Sequence, residues 1–354
     1  MDKHIINTIS KYKIIGLGEN SHLTDFPIVY RLKLFKELAI NYNYNVICLE
    51  NDIFYTSIIN AYIHSKIKTD PQILVENLFG MWTHPYFVNF IIWARGYNRT
   101  VSKHKRIHFI GFDSQNPFIF RKQSKELFKK IYYDCYSYYN SIFPNKKSHI
   151  KELFSLYNSG YEKLHNNTQL YDKYRENISY KIFMKQYNYI LPKKSKFVIL
   201  AHQAHLSKYR SPSFPNKPFG SYIYDHFGKK FYSIGMNILS GKLACKNNFN
   251  GVPIKSSSYI KLKSDVSLVK KHYNTSIECD ESKSQYKINP MKYHDAILLF
   301  KYDTPFSRNL KTHEQTILDK INRFFSGRRF DIIKFYKHFK VDLPNKYILH
   351  YSRI

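Results

Sequence analysis

The chain has 4 cysteines in 354 residues. Cys48, Cys135, Cys245 and Cys279 are scattered, with no C-x-x-C spacing. This argues against a disulfide framework and against a cysteine zinc site, so reduced thiols are expected. No apolar run approaches the roughly 20 residues that a membrane-spanning helix needs. The first residues, Met-Asp-Lys-His-Ile-Ile, lack the apolar core of a signal peptide. A cytoplasmic protein with no membrane partner is the expectation. Internal repeats and low-complexity tracts are absent too. Acidic residues are scarce: 26 Asp and Glu stand against 56 Lys and Arg, a formal charge of +30. That excess admits a polyanionic partner or an acidic substrate. It also admits a genome biased toward A and T, which enriches Lys, Asn, Ile and Tyr everywhere. The basic residues are spread along the chain rather than packed into one arm, so a nucleic acid is not the expected partner.

What is present is enough to fold. Hydrophobic residues make up 43% of the chain and aromatics 17%, too many for a disordered segment. Two short apolar runs, at 14–15 and 46–49, read as buried parallel strands. A helical pattern over 27–39 joins them. Further strands are expected at 105–113, 196–202, 231–235 and 296–300. Residues 51–98 read as mostly helical, with a break at Trp82 to Pro85. From about 118 to 189 only helical patterns occur, and 242–285 is polar and irregular, read as hairpins and loops. The fold class is α/β: a central, mostly parallel sheet flanked by helices, with a helical insertion at about 116–190 forming a cap over the cleft. A single domain over 1–306 is expected, followed by a basic extension, 307–354, with a helical stretch at about 312–325.

In open α/β sheets ligands bind past the carboxyl ends of the strands. Glu19, His22, Glu50, His202 and His205 all fall at such ends, and Arg31 lies on the first connecting helix. A histidine there can activate water while a carboxylate on its far nitrogen holds the tautomer. Arg31 would then meet a substrate oxygen or a developing oxyanion. Glu-x-x-His and His-x-x-His also supply metal ligands, although neither is the H-E-x-x-H helix motif. A purely structural network is the third reading. Ser21 beside His22 has no G-x-S-x-G elbow around it. Gly16-Leu17-Gly18 lacks the third glycine of a dinucleotide loop. Asp113 could orient a helix N-terminus or a histidine.

Together these residues resemble the erythromycin esterase family. Gly-Leu-Gly-Glu-Asn-Ser-His at 16–22 is followed by Arg31, nine residues after His22, and by Leu49-Glu50. Trp93-x-Arg95-x-Tyr97-Asn98, Gly111-Phe112-Asp113-x-Gln115 and Arg175-Glu176 continue the pattern. Ala201-His202-Gln203-Ala204-His205, Phe219-Gly220-Ser221-Tyr222 with Phe227-Gly228, and His294-Asp295-Ala296 complete it. The resemblance covers about residues 10–306.

The resemblance implies an α/β core with a deep cleft and metal-independent attack of water on an ester, without a cofactor. It makes His22 the base. Glu19, Glu50 and Arg31 shape and charge the site, and His205 with His202 completes it. Asp113, Gln115, Arg175 and Ser21 are expected to bind substrate. Three departures touch the pocket wall. The family's Thr-His-Gly is Ser21-His22-Leu23, its Asn between the two histidines is Gln203, and His84 and Tyr86 stand where an acid follows the first tryptophan. The expected substrate is a small ester or lactone. A dehydrating or cyclising enzyme acting on an acidic peptide is an alternative. A basic polyanion-binding protein with a vestigial site is another.

Overall fold

The structure is a computed structural model that describes residues 2–21, 25–76, 82, 84–113, 125–165, 168–210, 216–240, 242–245, 248–253, 266–269, 276–279, 285–288 and 290–302. The expected extension at 307–354 lies outside them.

The core is a seven-stranded sheet. Its strands are β1 (Ile14–Glu19), β2 (Tyr44–Leu49), β3 (His108–Gly111), β4 (Lys196–His202), β5 (Phe231–Ile238), β8 (Val266–Val269) and β11 (Ala296–Phe300). Their order is β3-β2-β4-β1-β5-β11-β8, parallel throughout except for β8. Strands β1, β2, β3, β5 and β11 are buried at every position. That is why they read as continuous apolar runs: a parallel sheet covered on both faces has no solvent side to alternate toward.

Helices flank this sheet: α1 (Lys3–Ile9), α2 (Phe26–Tyr42), α3 (Ile53–Ile63), α4 (Pro71–Glu76) and α5 (Pro85–Thr100), then α6 (Lys125–Ile142), α7 (Lys147–His165), α8 (Thr168–Lys185), α9 (Gln203–Leu206) and α10 (Phe219–Phe227). Helix α2 carries Pro27 in its first turn and ends on Asn43, whose left-handed φ of 59° lets its N–H close on the carbonyl of Leu38. Helix α3 starts at Asp52, whose carboxylate accepts the N–H groups of Phe54 and Tyr55.

The expected helical region is α6, α7 and α8, followed by a π-turn over Gln186–Ile190. This turn ties the insertion to the sheet. The Gln186 side chain donates to the carbonyl of Gly111 at 2.9 Å, at the end of β3, and accepts from the Tyr139 hydroxyl at 2.8 Å. Two expected element bounds need correction, at β3 and α5, and the hairpins expected in 242–285 take the form of antiparallel pairs. This region carries β6 (Lys242–Cys245), β7 (Asn248–Pro253), β8, β9 (Ser276–Cys279) and, ending just beyond it, β10 (Gln285–Ile288). These pair by main-chain hydrogen bonds, for which polar side chains are no obstacle. Strand β3 begins at His108 because residues 103–105 form a 3-10 turn. Helix α5 runs on to Thr100, past the expected stop near Gly96. Cys48 and Cys135 are buried free thiols. Among the described residues no helix is long and apolar enough to cross a membrane.

Candidate active site

Four strand ends meet at the carboxyl edge of the sheet. Strand β1 ends on Glu19, which lies beside His202 in the β1–β4 register. Glu19 and Arg31 of α2 are both buried and form an ion pair through Arg31 Nη2. The Arg31 guanidinium sits 5.6 Å from the Trp82 ring, and Trp82 Nε1 donates to the Glu50 carbonyl at 3.2 Å. Among the described residues, Arg31 Nε and Nη1 are buried without a hydrogen-bond acceptor. Ser21 is buried just past the strand. His22 and Gln115 lie outside the described residues.

Glu50, just past β2, is a hub. Its Oε1 lies 3.1 Å from Arg175 Nη2 and 3.2 Å from His205 Nε2. Its Oε2 accepts the His202 main-chain N–H at 2.8 Å. Arg175, from α8, also makes a two-pronged contact with Asp113: Nε to Oδ1 at 3.0 Å and Nη2 to Oδ2 at 2.8 Å. The sheet and the insertion thus meet through fixed charge pairs, with Arg175 serving two carboxylates.

His205 stands between two of these carboxylates. Its Nδ1 lies 2.9 Å from Glu176 Oε1, and its Nε2 faces Glu50. Burial disfavours the imidazolium, but Glu176 and Glu50 outweigh it and push His205 up to about 10. His205 is therefore charged at neutral pH and cannot accept a proton there. Both its nitrogens face carboxylates, so neither is open to a metal ion in this arrangement. Burial raises Glu176, yet the His205 charge and hydrogen bond, Arg175 and the Phe219 N–H together leave it below its ordinary value. That N–H donates to Glu176 Oε2 at 2.8 Å, and the Phe219 ring stacks on Phe112 at 4.4 Å. Glu176 thereby joins the insertion, the histidine and the start of α10. The sequence reading assigned Glu176 no role. Its signal is helical phase: Glu176, Ser179 and Phe183 share one buried stripe of α8.

The His-x-x-His turn explains the glycines before Glu19. A Cβ on Gly18 would come within 2.5 Å of the Gln203 Cα, because α9 folds directly against β1. The Gly-Leu-Gly run therefore serves close packing of strand and turn. Gln203 is buried, and its Oε1 accepts the Met236 N–H at 3.2 Å, anchoring the turn to β5. His202 caps α9 by accepting the Ala204 N–H on Nδ1 at 3.3 Å. His84 is engaged at both nitrogens: Nε2 faces Asp25 at 2.7 Å and Nδ1 accepts the Tyr86 N–H at 3.0 Å.

Asp52 was not anticipated as a titrating group. It is fully buried, and Oδ2 has no hydrogen-bond partner among the described residues. Burial pushes it up to about 7, against the N–H groups of Tyr55 and Phe54, while the charge of Asp113 adds to the rise. Among the described residues no group of three His, Cys, Asp or Glu is arranged to hold a metal ion.

The sheet and its flanking helices define an α/β protein with a fold similar to that of erythromycin esterase. The model of the family described as erythromycin esterase matches residues 41–177, from the end of α2 to Arg175, Glu176 and the residue after them in α8. This bears out the resemblance carried by the motifs and supports an esterase-type hydrolase. Three solved structures share the fold. A Bacillus cereus protein is 15% identical with a TM-score of 0.66, and the match covers 86% of this chain and 91% of that one. A succinoglycan biosynthesis protein is 16% identical, with a TM-score of 0.63 and the same coverage. A mutant of erythromycin esterase EreC in its open conformation is 15% identical with a TM-score of 0.54, over 86% of this chain and 94% of that one. No curated protein sequence matches the chain.

Proposed function

We propose that the chain is a hydrolase that opens an ester or lactone with His22 as general base and without a metal. An imidazole nitrogen of His22 takes a proton from water as the water oxygen attacks the carbonyl carbon. The tetrahedral oxyanion then collapses, expelling the alcohol oxygen, which recovers the proton from His22. Arg31 stabilises the oxyanion: Glu19 anchors one end of the guanidinium, and Nε and Nη1 have no acceptor among the described residues. Glu50 holds the adjoining wall through Arg175, His205 and the His202 main chain.

The observation that carries this reading is His205 held as a cation between Glu50 and Glu176. His205 is charged and His84 is engaged at both nitrogens, and the family resemblance assigns the base to His22, three residues after Glu19. The family match supports the reaction class. The substrate is a small ester or a peptide, and the +30 charge favours an acidic one.

The test is intact mass of candidate substrates after incubation with the protein. A panel of macrolides, simple esters and peptides would be compared between wild type and His22→Ala. Gain of one water by an ester, lost in the variant, is expected. Equal turnover by His22→Ala would remove this mechanism. Loss of water from a peptide would recast the same residues as a dehydrating or cyclising site.

A further inference from the structure

Lysines that are spread along the sequence meet at the opposite edge of the sheet. Strands β4, β1 and β5 are parallel neighbours, so the segments leading into them lie side by side. The segment before β1 carries Lys11 and Lys13. The one before β4 carries Lys193 and Lys194, with Lys196 in the first strand position. The turn before β5 carries Lys229 and Lys230.

Hydrogen bonds lace these segments together. Lys13 Nζ donates to the Lys193 carbonyl at 3.1 Å, and the Lys13 N–H donates to the Lys230 carbonyl at 3.1 Å. Lys196 Nζ donates to the Ser10 carbonyl at 3.0 Å. The row continues toward β3. Asn45 accepts the Lys196 N–H at 3.2 Å and donates to the His104 carbonyl at 3.1 Å, in a turn that adds Lys103, Lys105 and Arg106. Strand spacing sets the length: four gaps from β5 to β3 make about 19 Å.

No Asp or Glu occurs in residues 10–13, 102–107, 191–196 or 228–230. Burial lowers the Lys13 ammonium from its ordinary value, and Lys230 lowers it further. None of the large exposed apolar side chains lies on these segments, so nothing here would insert into a bilayer. Nearly all the cations are lysine. Lysine meets a phosphate as a point charge, whereas two-pronged recognition of a carboxylate favours arginine. The partner that fits is a dense line of phosphates.

We propose that the amino-terminal edge of the sheet is a binding ledge for the sugar–phosphate backbone of a nucleic acid, held without sequence reading. It lies at the end of the strands opposite the carboxyl-edge site, so it recruits the protein to a polyanion and does not feed the cleft. This surface changes the expectation of no nucleic-acid partner, which rested on spread along the chain.

The test is fluorescence anisotropy of a labelled single-stranded oligonucleotide with the full chain across a range of salt. Salt-dependent binding is expected for the wild type. In a triple variant, Lys193→Glu, Lys194→Glu, Lys230→Glu, the log–log salt slope should shrink by about 2, from about 0.7 per lost phosphate contact. Affinity should fall at least about tenfold at low salt. A control with the same change in net charge, Lys33→Glu, Lys151→Glu, Lys301→Glu, should bind nearly as the wild type does. All six side chains except their stems are solvent-facing, so folding should survive, and circular dichroism checks it. Absent oligonucleotide binding, equal loss in both triple variants, or tighter binding to phosphatidylserine vesicles or polyglutamate than to the oligonucleotide would each overturn the ledge.

Discussion

The two edges of the sheet use charge in opposite ways. At the carboxyl edge Glu19, Glu50, Asp113 and Glu176 are buried, and Arg31, Arg175 and His205 pair with them. At the amino edge Lys11, Lys193, Lys194, Lys229 and Lys230 are exposed and have no carboxylate in their own segments. A buried charge must be paired, because desolvation otherwise costs several kcal/mol. An exposed charge can remain unpaired, because water screens it. The carboxyl edge is therefore a rigid network that folding must complete. The amino edge is a field that folding leaves available.

This contrast can be broken by mutation. The largest effect on stability is expected from Glu176→Ala. It leaves His205 with one carboxylate and the Phe219 N–H without an acceptor, and should cost about 3–5 kcal/mol. Urea unfolding reads this, and a loss below 1 kcal/mol would show that the network is not a folding requirement. Gly18→Ala comes next. Its Cβ would meet the Gln203 backbone, which cannot move without carrying His202 and His205 with it. A loss of about 1–3 kcal/mol is expected, the usual range for overpacking.

Acidity sharpens the comparison. His205 is raised in the folded protein to about 10, so its stabilisation is complete below about 6.5 and is lost as the pH rises through 10. Asp52 is an acid raised to about 7, so ionising it opposes folding, and stability falls as the pH rises from about 4 to 7. Glu176 is lowered, so its contribution is lost as acid protonates it below the ordinary carboxylate range. Thermal unfolding against pH should show His205→Gln removing the alkaline decline. Asp52→Asn should remove the decline between 4 and 7 while keeping the cap on α3. Unchanged profiles would mean that neither group titrates as its surroundings dictate. The smallest effect is expected at the amino edge. Charge reversal at Lys193, Lys194 and Lys230 should alter unfolding by no more than about 0.5 kcal/mol, as for ordinary surface changes. A larger loss would mean that these lysines belong to the fold.

Much of the scaffold was legible before the structure. Buried parallel strands carry continuous apolar runs, so 46–49, 197–201 and 296–300 stand out in the sequence. Across 242–288 hairpins and loops were legible but the individual strands were not, because main-chain pairing there leaves little trace in side-chain pattern. Glu19, Glu50, His202 and His205 were legible as strand-end residues, since polar groups rarely close an apolar run without a reason. Glu176 was not, because its partner is 29 residues away and on another element. Asp52 was not singled out in the sequence either, because its burial depends on Gly111 and Asp113 arriving from β3.

By itself the sequence determined the α/β sheet, the identity of the strand ends and the family pattern, because these rest on local burial and spacing. Only the tertiary structure decided the protonation of His205, the division of Arg175 between Glu50 and Asp113, and the gathering of lysines at one edge. Each depends on which segments the strand order sets side by side, and charge acts across space rather than along the chain.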